Sequence, residues 1–310
     1  MITIRKSAGN GLEAINEIVY GSWVNVIDPT ADEIDHLHQA LGVLPDFVAH
    51  SLDIDERART EKENEATLII LRVPFFQGHT AGVPYTTVPL GVIITDKLIV
   101  TVCKVETGIA QGLLNGQARG ISTTKRHRFV LELFRRMADD YLNTVRAINK
   151  AVDALEDRLQ RSLRNKEVLE LLKYQKSLVY FTTGLKSNEL LMERLQKARF
   201  FEAYPDDEDL LDEVLIEIRQ AIEMTEISNN ILSQMMDAFA SIISNNLNVV
   251  MKFLASVTII LSLPTLVASI YGMNVNLPFD ESPQAFAVIL AGSLTLSLVV
   301  VFIFWKRDWL

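Results

Sequence analysis

Two apolar runs near the end of the chain constrain what the rest of it can be. Phe253 to Tyr271 carries no charged residue, and neither does Ala285 to Trp305, which follows after a short connection. At about 1.5 Å rise per residue, a helix of roughly 20 residues crosses the ~30 Å hydrocarbon core of a bilayer. One such run also suits a buried helix of a soluble protein. Two in succession, with Tyr271, Trp305 and Trp309 at their ends as interfacial anchors, predict a transmembrane hairpin.

Basic residues set the orientation, because Lys and Arg beside a span stay on the cytoplasmic side. Residues 272–284 contain neither, whereas Lys252, Lys306 and Arg307 flank the opposite ends. The reading is a multi-pass protein of the cell (plasma) membrane with both termini cytoplasmic and a short outer loop. Pro278 and Pro283 keep that loop from continuing either helix, and Asp280 and Glu281 make it acidic, so that it attracts cations.

The 49% hydrophobic content and positive mean hydropathy agree with a membrane tail on a soluble body. No basic segment with a short apolar core opens the chain, so no cleavable signal peptide is expected. The one cysteine, Cys103, lies in an apolar run and reads as a small buried hydrophobe. A net charge of −9 argues against a nucleic-acid partner. The densest basic cluster, Lys125-Arg126-His127-Arg128, reads as a solvated helix end.

The chain divides into an α/β domain over 1–122, a long-helix stalk region over 123–250 and the membrane hairpin over 251–310. In the first, Ile2–Arg5, Trp23–Ile27 and Thr67–Phe76 predict strands. Thr86–Thr95 and Lys97–Cys103 predict a hairpin around Asp96-Lys97. Asp28-Pro29-Thr30 precedes a helical pattern over Ala31–Leu41, and Pro45 suits the first turn of another helix. Glycines at 108, 112, 116 and 120 predict a loose connection, since Gly costs a helix about 1 kcal/mol relative to Ala.

Phe129, Leu133, Met137, Tyr141 and Val145 recur at every fourth position, predicting a helix to about Ser162; Asn165 to Arg199 predicts a second. From about Asp207 no proline occurs until Pro264. One helix can therefore run from the stalk into the first span, the alternative being two helices broken near Ser244-Asn245-Asn246. Long unbroken helices are usually bundle or coiled-coil elements, so the stalk is expected to associate with copies of itself.

Within the first span, Thr258, Ser262, Thr265 and Ser269 share one helical face, which extends back through Met251 and Asn248 and forward to Gly272. Such hydroxyls can simply bond to their own helix. Four on one face leading to Asn274 are read instead as a pore wall. A polar face in lipid needs protein or water against it, and two helices cannot enclose a pore, so self-association in a ring is required.

Tyr271-Gly272-Met273-Asn274 closing the first of two C-terminal spans, an acidic outer loop and the tail Lys306-Arg307-Asp308-Trp309-Leu310 resemble the CorA family of divalent-cation channels. The resemblance implies a CorA-like homopentamer. Its α+β cytoplasmic domain would be followed by long helices and two transmembrane helices, with Mg2+ as the ion transported. It also implies that Gly272, Met273 and Asn274 form the outer selectivity site. Mg2+ keeps several waters when bound, and the Asn274 amide oxygen can accept from those waters without trapping the ion.

The resemblance further implies closure by cytoplasmic Mg2+ at acids between subunits. Counting back from Asn274 places one part of that site at Asp212 and Glu213. The partner position falls near Ala49-His50, which has no acids; Asp53, Asp55 and Glu56 lie one turn further on as substitutes. The family often has a methionine where this chain has Ser262, just before Leu263-Pro264-Thr265, which leaves Met251 and Leu254 as the hydrophobic gate.

The reading is passive uptake of hydrated Mg2+, with Co2+ or Ni2+ as further cargo. The membrane potential would drive it, because the spans hold no acid or base for proton coupling and the chain has no Gly-rich nucleotide loop. No nucleophile, base and orienting group assemble from these motifs, so an enzyme is not expected. Two alternatives stand: a zinc transporter of the same superfamily, and a membrane-anchored sensor or scaffold for which the hairpin is only a tether. His36 and His38 alternate rather than sharing a helical face and read as surface residues.

Overall fold

A computed structural model describes residues 1–8, 11–114, 121–161, 165–201, 206–273, 275, 284–307 and 309. It contains two compact units, Met1–Gln234 and Met235–Leu310. The described strands of the first unit are β1 (Ile2–Ala8), β2 (Gly11–Ala14), β3 (Ser22–Ile27), β4 (Arg59–Glu63), β5 (Ala66–Phe76), β6 (Tyr85–Ile94) and β7 (Ile99–Cys103). They form one sheet in the order β2-β1-β3-β7-β6-β5-β4. β3 and β7 run parallel, from Trp23 opposite Ile99 to Ile27 opposite Cys103, and the other neighbours are antiparallel.

Helices cover both faces of the sheet. On one face, α1 (Ala31–Leu41) starts where Thr30 and Glu33 form a reciprocal capping box and stops at Gly42, whose φ of 68° is left-handed. α2 (Pro45–Leu52) opens on proline, whose missing N–H is an orphan at a helix start anyway. It packs directly on β6: a side chain at Gly91 would put its Cβ 2.5 Å from that of Ser51. Phe47 and Val48 join Val24, Val26, Leu68, Ile70, Ile93, Val100 and Val102 in the core on this side.

The other face carries α4 (Arg126–Arg161) and α5 (Asn165–Lys197). Trp23 meets Phe129 of α4 at 5.6 Å and donates its indole N–H to Thr101 Oγ1 at 2.8 Å; Thr101 in turn donates to Asn25 Oδ1 at 2.9 Å. Burial on both faces explains why the central strands read as continuous apolar runs rather than alternating ones.

α5 is fixed to the sheet by an amide acting as a strand. The pairing of β4 with β5 stops at Arg59, the first residue of β4, opposite Ile70, so the edge of β5 has no strand beside it two residues later. Asn188 fills that place: its Oδ1 accepts from the Arg72 N–H at 2.8 Å and its Nδ2 donates to the Arg72 C=O at 2.7 Å. Tyr141 Oη of α4 donates to the same carbonyl at 3.1 Å. The close approach needs Gly184, one turn before Asn188, where a Cβ would lie 2.7 Å from Tyr141 Oη. The Arg72 guanidinium then reaches the Ile54 and Glu56 carbonyls at 2.6 and 2.9 Å.

Three expectations change. The glycine-rich stretch forms a short helix, α3 (Gly108–Leu114), because Ile109, Ala110 and Leu113 are buried and that burial offsets the poor propensity of Gly108 and Gly112; Gly116 and Gly120 lie outside the described residues. The basic cluster is a packed junction rather than a solvated end. Arg126 donates to the Thr95 carbonyl at 2.8 Å, His127 meets Phe200 edge-on at 4.6 Å, and Arg128 lies 3.7 Å from the fully buried Asp207. Two edge strands, β2 and β4, add to those expected; β4 reads Arg-Thr-Glu-Lys-Glu, with the charges that protect an edge from pairing with other chains.

α6 (Asp206–Tyr271) is one helix of 66 residues, with Pro264 inside it and no break at Ser244-Asn245-Asn246; α7 (Ala285–Lys306) has 22 residues. Their apolar windows are only 6% buried. Neither run is therefore a buried core helix within this chain.

Replacing Asn188 with Ala would leave the Arg72 N–H buried beside no strand. The full-length protein in detergent is expected to lose about 1–3 kcal/mol of unfolding free energy in chemical denaturation; an unchanged midpoint would contradict the role given to this amide.

Candidate functional site

The site is the surface of α6 over its last four turns. Thr258, Leu261, Ser262, Leu263, Thr265, Leu266 and Ser269 line one open groove, which collects all four hydroxyls expected on a shared face. Asn248, Met251 and Leu254 are exposed on the helix N-terminal to the groove and are not part of its lining.

The hydroxyl hydrogen bonds define what the groove offers. Thr258 Oγ1 donates to the Leu254 carbonyl at 2.8 Å, Ser262 Oγ to that of Ile259 at 2.9 Å and Thr265 Oγ1 to that of Leu261 at 3.1 Å. The proton of each is thus used by its own helix, and only lone pairs remain. The groove is therefore acceptor-rich, which suits the outward-pointing hydrogens of water on a cation and does not suit an anion.

At the outer end, Gly272 N–H still bonds the Ala268 carbonyl at 3.0 Å, and Met273 N–H tightens onto that of Ile270 at 3.2 Å. A Cβ at Gly272 would lie 3.3 Å from the Ala268 oxygen, so glycine keeps this turn narrow. Asn274, Asp280 and Glu281 lie outside the described residues, as do Pro278 and Pro283. In α7, Ser293, Thr295 and Ser297 bond back to Leu290, Ala291 and Ser293 carbonyls, and Ser293 and Ser297 are buried while Thr295 is exposed.

The regulatory candidates do not gather within one chain. Asp53 caps α2 and accepts from the Asp55 N–H at 3.1 Å, while Glu56 pairs with Arg59 at 3.1 Å and lies 3.6 Å from His50. Asp212 and Glu213 are exposed in the early turns of α6, and Glu213 borders a cleft with Arg128, Glu132 and Arg135. Among the described residues no three His, Cys, Asp or Glu side chains are grouped so as to hold a metal ion. His38 Nδ1 sits 2.9 Å from the Val43 carbonyl, a local contact at the end of α1.

Two acids escaped the reading of the sequence. Glu217, four residues after Glu213, is pushed up to about 7 by burial and then by Asp139, with Arg135 opposing. Asp140 is pushed up to about 6 by burial and then by Asp139; a Cβ at Gly108 would approach its carboxylate to 3.1 Å. The i, i+4 spacing of Glu213 and Glu217 was visible in the sequence, but the approach of α4 was not.

An α/β unit followed by two exposed apolar helices, one of them grooved by hydroxyls, fits a multi-pass membrane protein. Residues 20–307 match the family described as CorA-like Mg2+ transporter protein. The chain belongs to the CorA family. The cobalt/magnesium transport protein CorA of Methanocaldococcus jannaschii is 25% identical over 298 residues, 93% of this chain and 91% of that protein. Its namesake in Thermotoga maritima is 23% identical over 303 residues, 93% and 83% of the two chains. The complete structure of the M. jannaschii CorA magnesium transporter shares the fold, with a TM-score of 0.85 at 24% identity, covering 100% of this chain and 99% of the other.

The raised Asp140 makes folding pH-dependent. Its carboxyl holds a proton in the folded state that the unfolded chain releases near pH 4, so its contribution falls as pH rises from about 4 to about 6 and is flat above. Asp140→Asn is expected to remove that slope and to gain about 2–3 kcal/mol at pH 7, read by denaturation at pH 4.5 and 7. Equal slopes in the two proteins would refute the assignment.

Proposed function

We propose that the chain forms a homopentameric channel for passive, inward movement of hydrated Mg2+, lined by the outer part of α6. The observation that carries this reading is the groove itself: four hydroxyls line one face that ends at Gly272-Met273, and the protons of Thr258, Ser262 and Thr265 are turned inward. The acceptor surface matches a cation that keeps its waters, since Mg2+ dehydrates reluctantly and is usually held through several of them. Family membership supports the ion, and the names of the relatives support Co2+ as further cargo.

Each part of the face has a role in this reading. Asn274, with Gly272 and Met273, selects at the outer mouth by accepting from ion-bound water, and Asp280 and Glu281 concentrate cations there. Thr258, Ser262, Thr265 and Ser269 carry the hydrated ion through the span. Met251 and Leu254 form a constriction that closes by excluding water, with Asn248 beyond it. A divalent ion moving inward gains about 4.6 kcal/mol per 100 mV, twice the value for a unit charge, so no chemical fuel is needed. Cytoplasmic Mg2+ bound between subunits, by Asp212 or Glu213 of one copy and Asp53, Asp55 or Glu56 of the next, would close the channel. Both termini would face the cytoplasm.

A zinc transporter or a mere tether has less behind it. Zinc prefers imidazole and thiolate, yet the described hairpin residues include neither His nor Cys. A tether gives no reason for the hydroxyls to share one groove.

Uptake in cells lacking other magnesium routes discriminates. Asn274→Ala is expected to lose most Mg2+ uptake while still reaching the membrane. Full uptake by this variant would favour the tether, and Zn2+ flux exceeding Mg2+ flux in vesicles would favour the zinc reading.

A further inference from the structure

The tip of α7 has no part in conduction as proposed above, yet it has a defined shape. The helix ends at Lys306, and the chain then turns back instead of extending. The Arg307 N–H donates to the Ile303 and Phe304 carbonyls, both at 3.1 Å, and the Trp309 N–H donates to the Phe304 carbonyl at 3.0 Å. The Trp309 indole stacks on Phe304, with centroids 5.4 Å apart and planes 17° from parallel. Trp305 leans on Phe302 at 6.3 Å and is 67% exposed. Two indoles therefore sit beside two exposed cations, Lys306 and Arg307, at the end of a charge-free helix.

Each group favours the same level of a bilayer. Indoles prefer the boundary between headgroups and acyl chains, while ammonium and guanidinium groups seek phosphate oxygens. Charge points the same way at the tip itself, where Lys306 and Arg307 lie together, whereas over residues 235–310 Lys252, Lys306 and Arg307 stand against Asp237, Asp280, Glu281 and Asp308. Asp308, outside the described residues, subtracts one charge at the tip by sequence alone. We propose that the tip of α7 binds an anionic phospholipid, with Lys306 and Arg307 on the headgroup phosphate and Trp305 and the clamped Trp309 against the glycerol and upper acyl region. The indole contact is what separates this ligand from free phosphate. The proposal needs α7 to span the membrane but is independent of what the pore conducts.

The test uses the full chain in phosphatidylcholine vesicles containing a minor share of phosphatidylglycerol, extracted gently and weighed by native mass spectrometry for retained lipid. The wild-type protein is expected to retain phosphatidylglycerol preferentially. Lys306→Gln with Arg307→Gln should lower the preference per tip about thirtyfold, each cation supplying about fivefold. Asp308→Asn should raise it about fivefold by the same measure. Trp309→Ala should lower retention of both lipids. The charge-preserving Lys306→Arg, Arg307→Lys pair should keep the preference, which separates loss of charge from damage to the fold. An unchanged preference in the double Gln variant, an equal loss in the charge-preserving pair, or displacement of the lipid by millimolar inorganic phosphate would each overturn the proposal.

Discussion

A backbone carbonyl or a hydroxyl in hydrocarbon must be bonded by protein or by water, and the chain meets this demand in two ways. The protons of Thr258, Ser262 and Thr265 are satisfied within α6 itself. Their lone pairs remain open to a further donor. In the proposed channel, water would supply the donors for this acceptor face, and one helix beside a second apolar helix could not hold that water in place alone. In that channel the same face would also set the charge preference, because a surface of lone pairs orients water with hydrogens toward the wall and oxygens toward a cation.

The soluble unit is built on a different economy. Its sheet is covered on both faces, and a set of its polar contacts gathers around Arg72. Asn188 stands in for a missing strand at Arg72, Tyr141 caps the same carbonyl, and Gly184 gives α5 the room to reach them. From the same residue the Arg72 guanidinium fixes the backbone at Ile54 and Glu56. The segment carrying Asp53, Asp55 and Glu56 is thereby held through its carbonyls. Glu56 has Arg59 and His50 beside it, and Asp53 accepts from the Asp55 N–H.

Much of this was legible without coordinates, for identifiable reasons. The capping chemistry of Thr30 and the proline at Pro45 placed α1 and α2 at their observed starts, since both signals are local. The absence of proline between Asp207 and Pro264 indicated one helix, and α6 is one helix. The hydroxyl face was legible because a period of 3.6 needs no tertiary information. What failed depended on partners distant in sequence. Nothing near Gly108 reveals that Ile109 and Leu113 will be buried, and nothing near Arg128 announces the buried Asp207. The raised Asp140 and Glu217 required the packing around Asp139. The strands β2 and β4 lack an apolar alternation because edges are better served by charge.

The central claim is that several copies turn the hydroxyl face of α6 toward one another around water. Cysteine cross-linking in native membranes tests it directly, because Cys103 is buried and leaves an introduced thiol as the reactive one. With cysteine at Thr265, oxidation should link copies of the chain through the groove, whereas cysteine at the exposed Leu298 of α7 should remain unlinked. Linkage through Leu298 with none through Thr265 would show the hydroxyls facing lipid and would contradict the account.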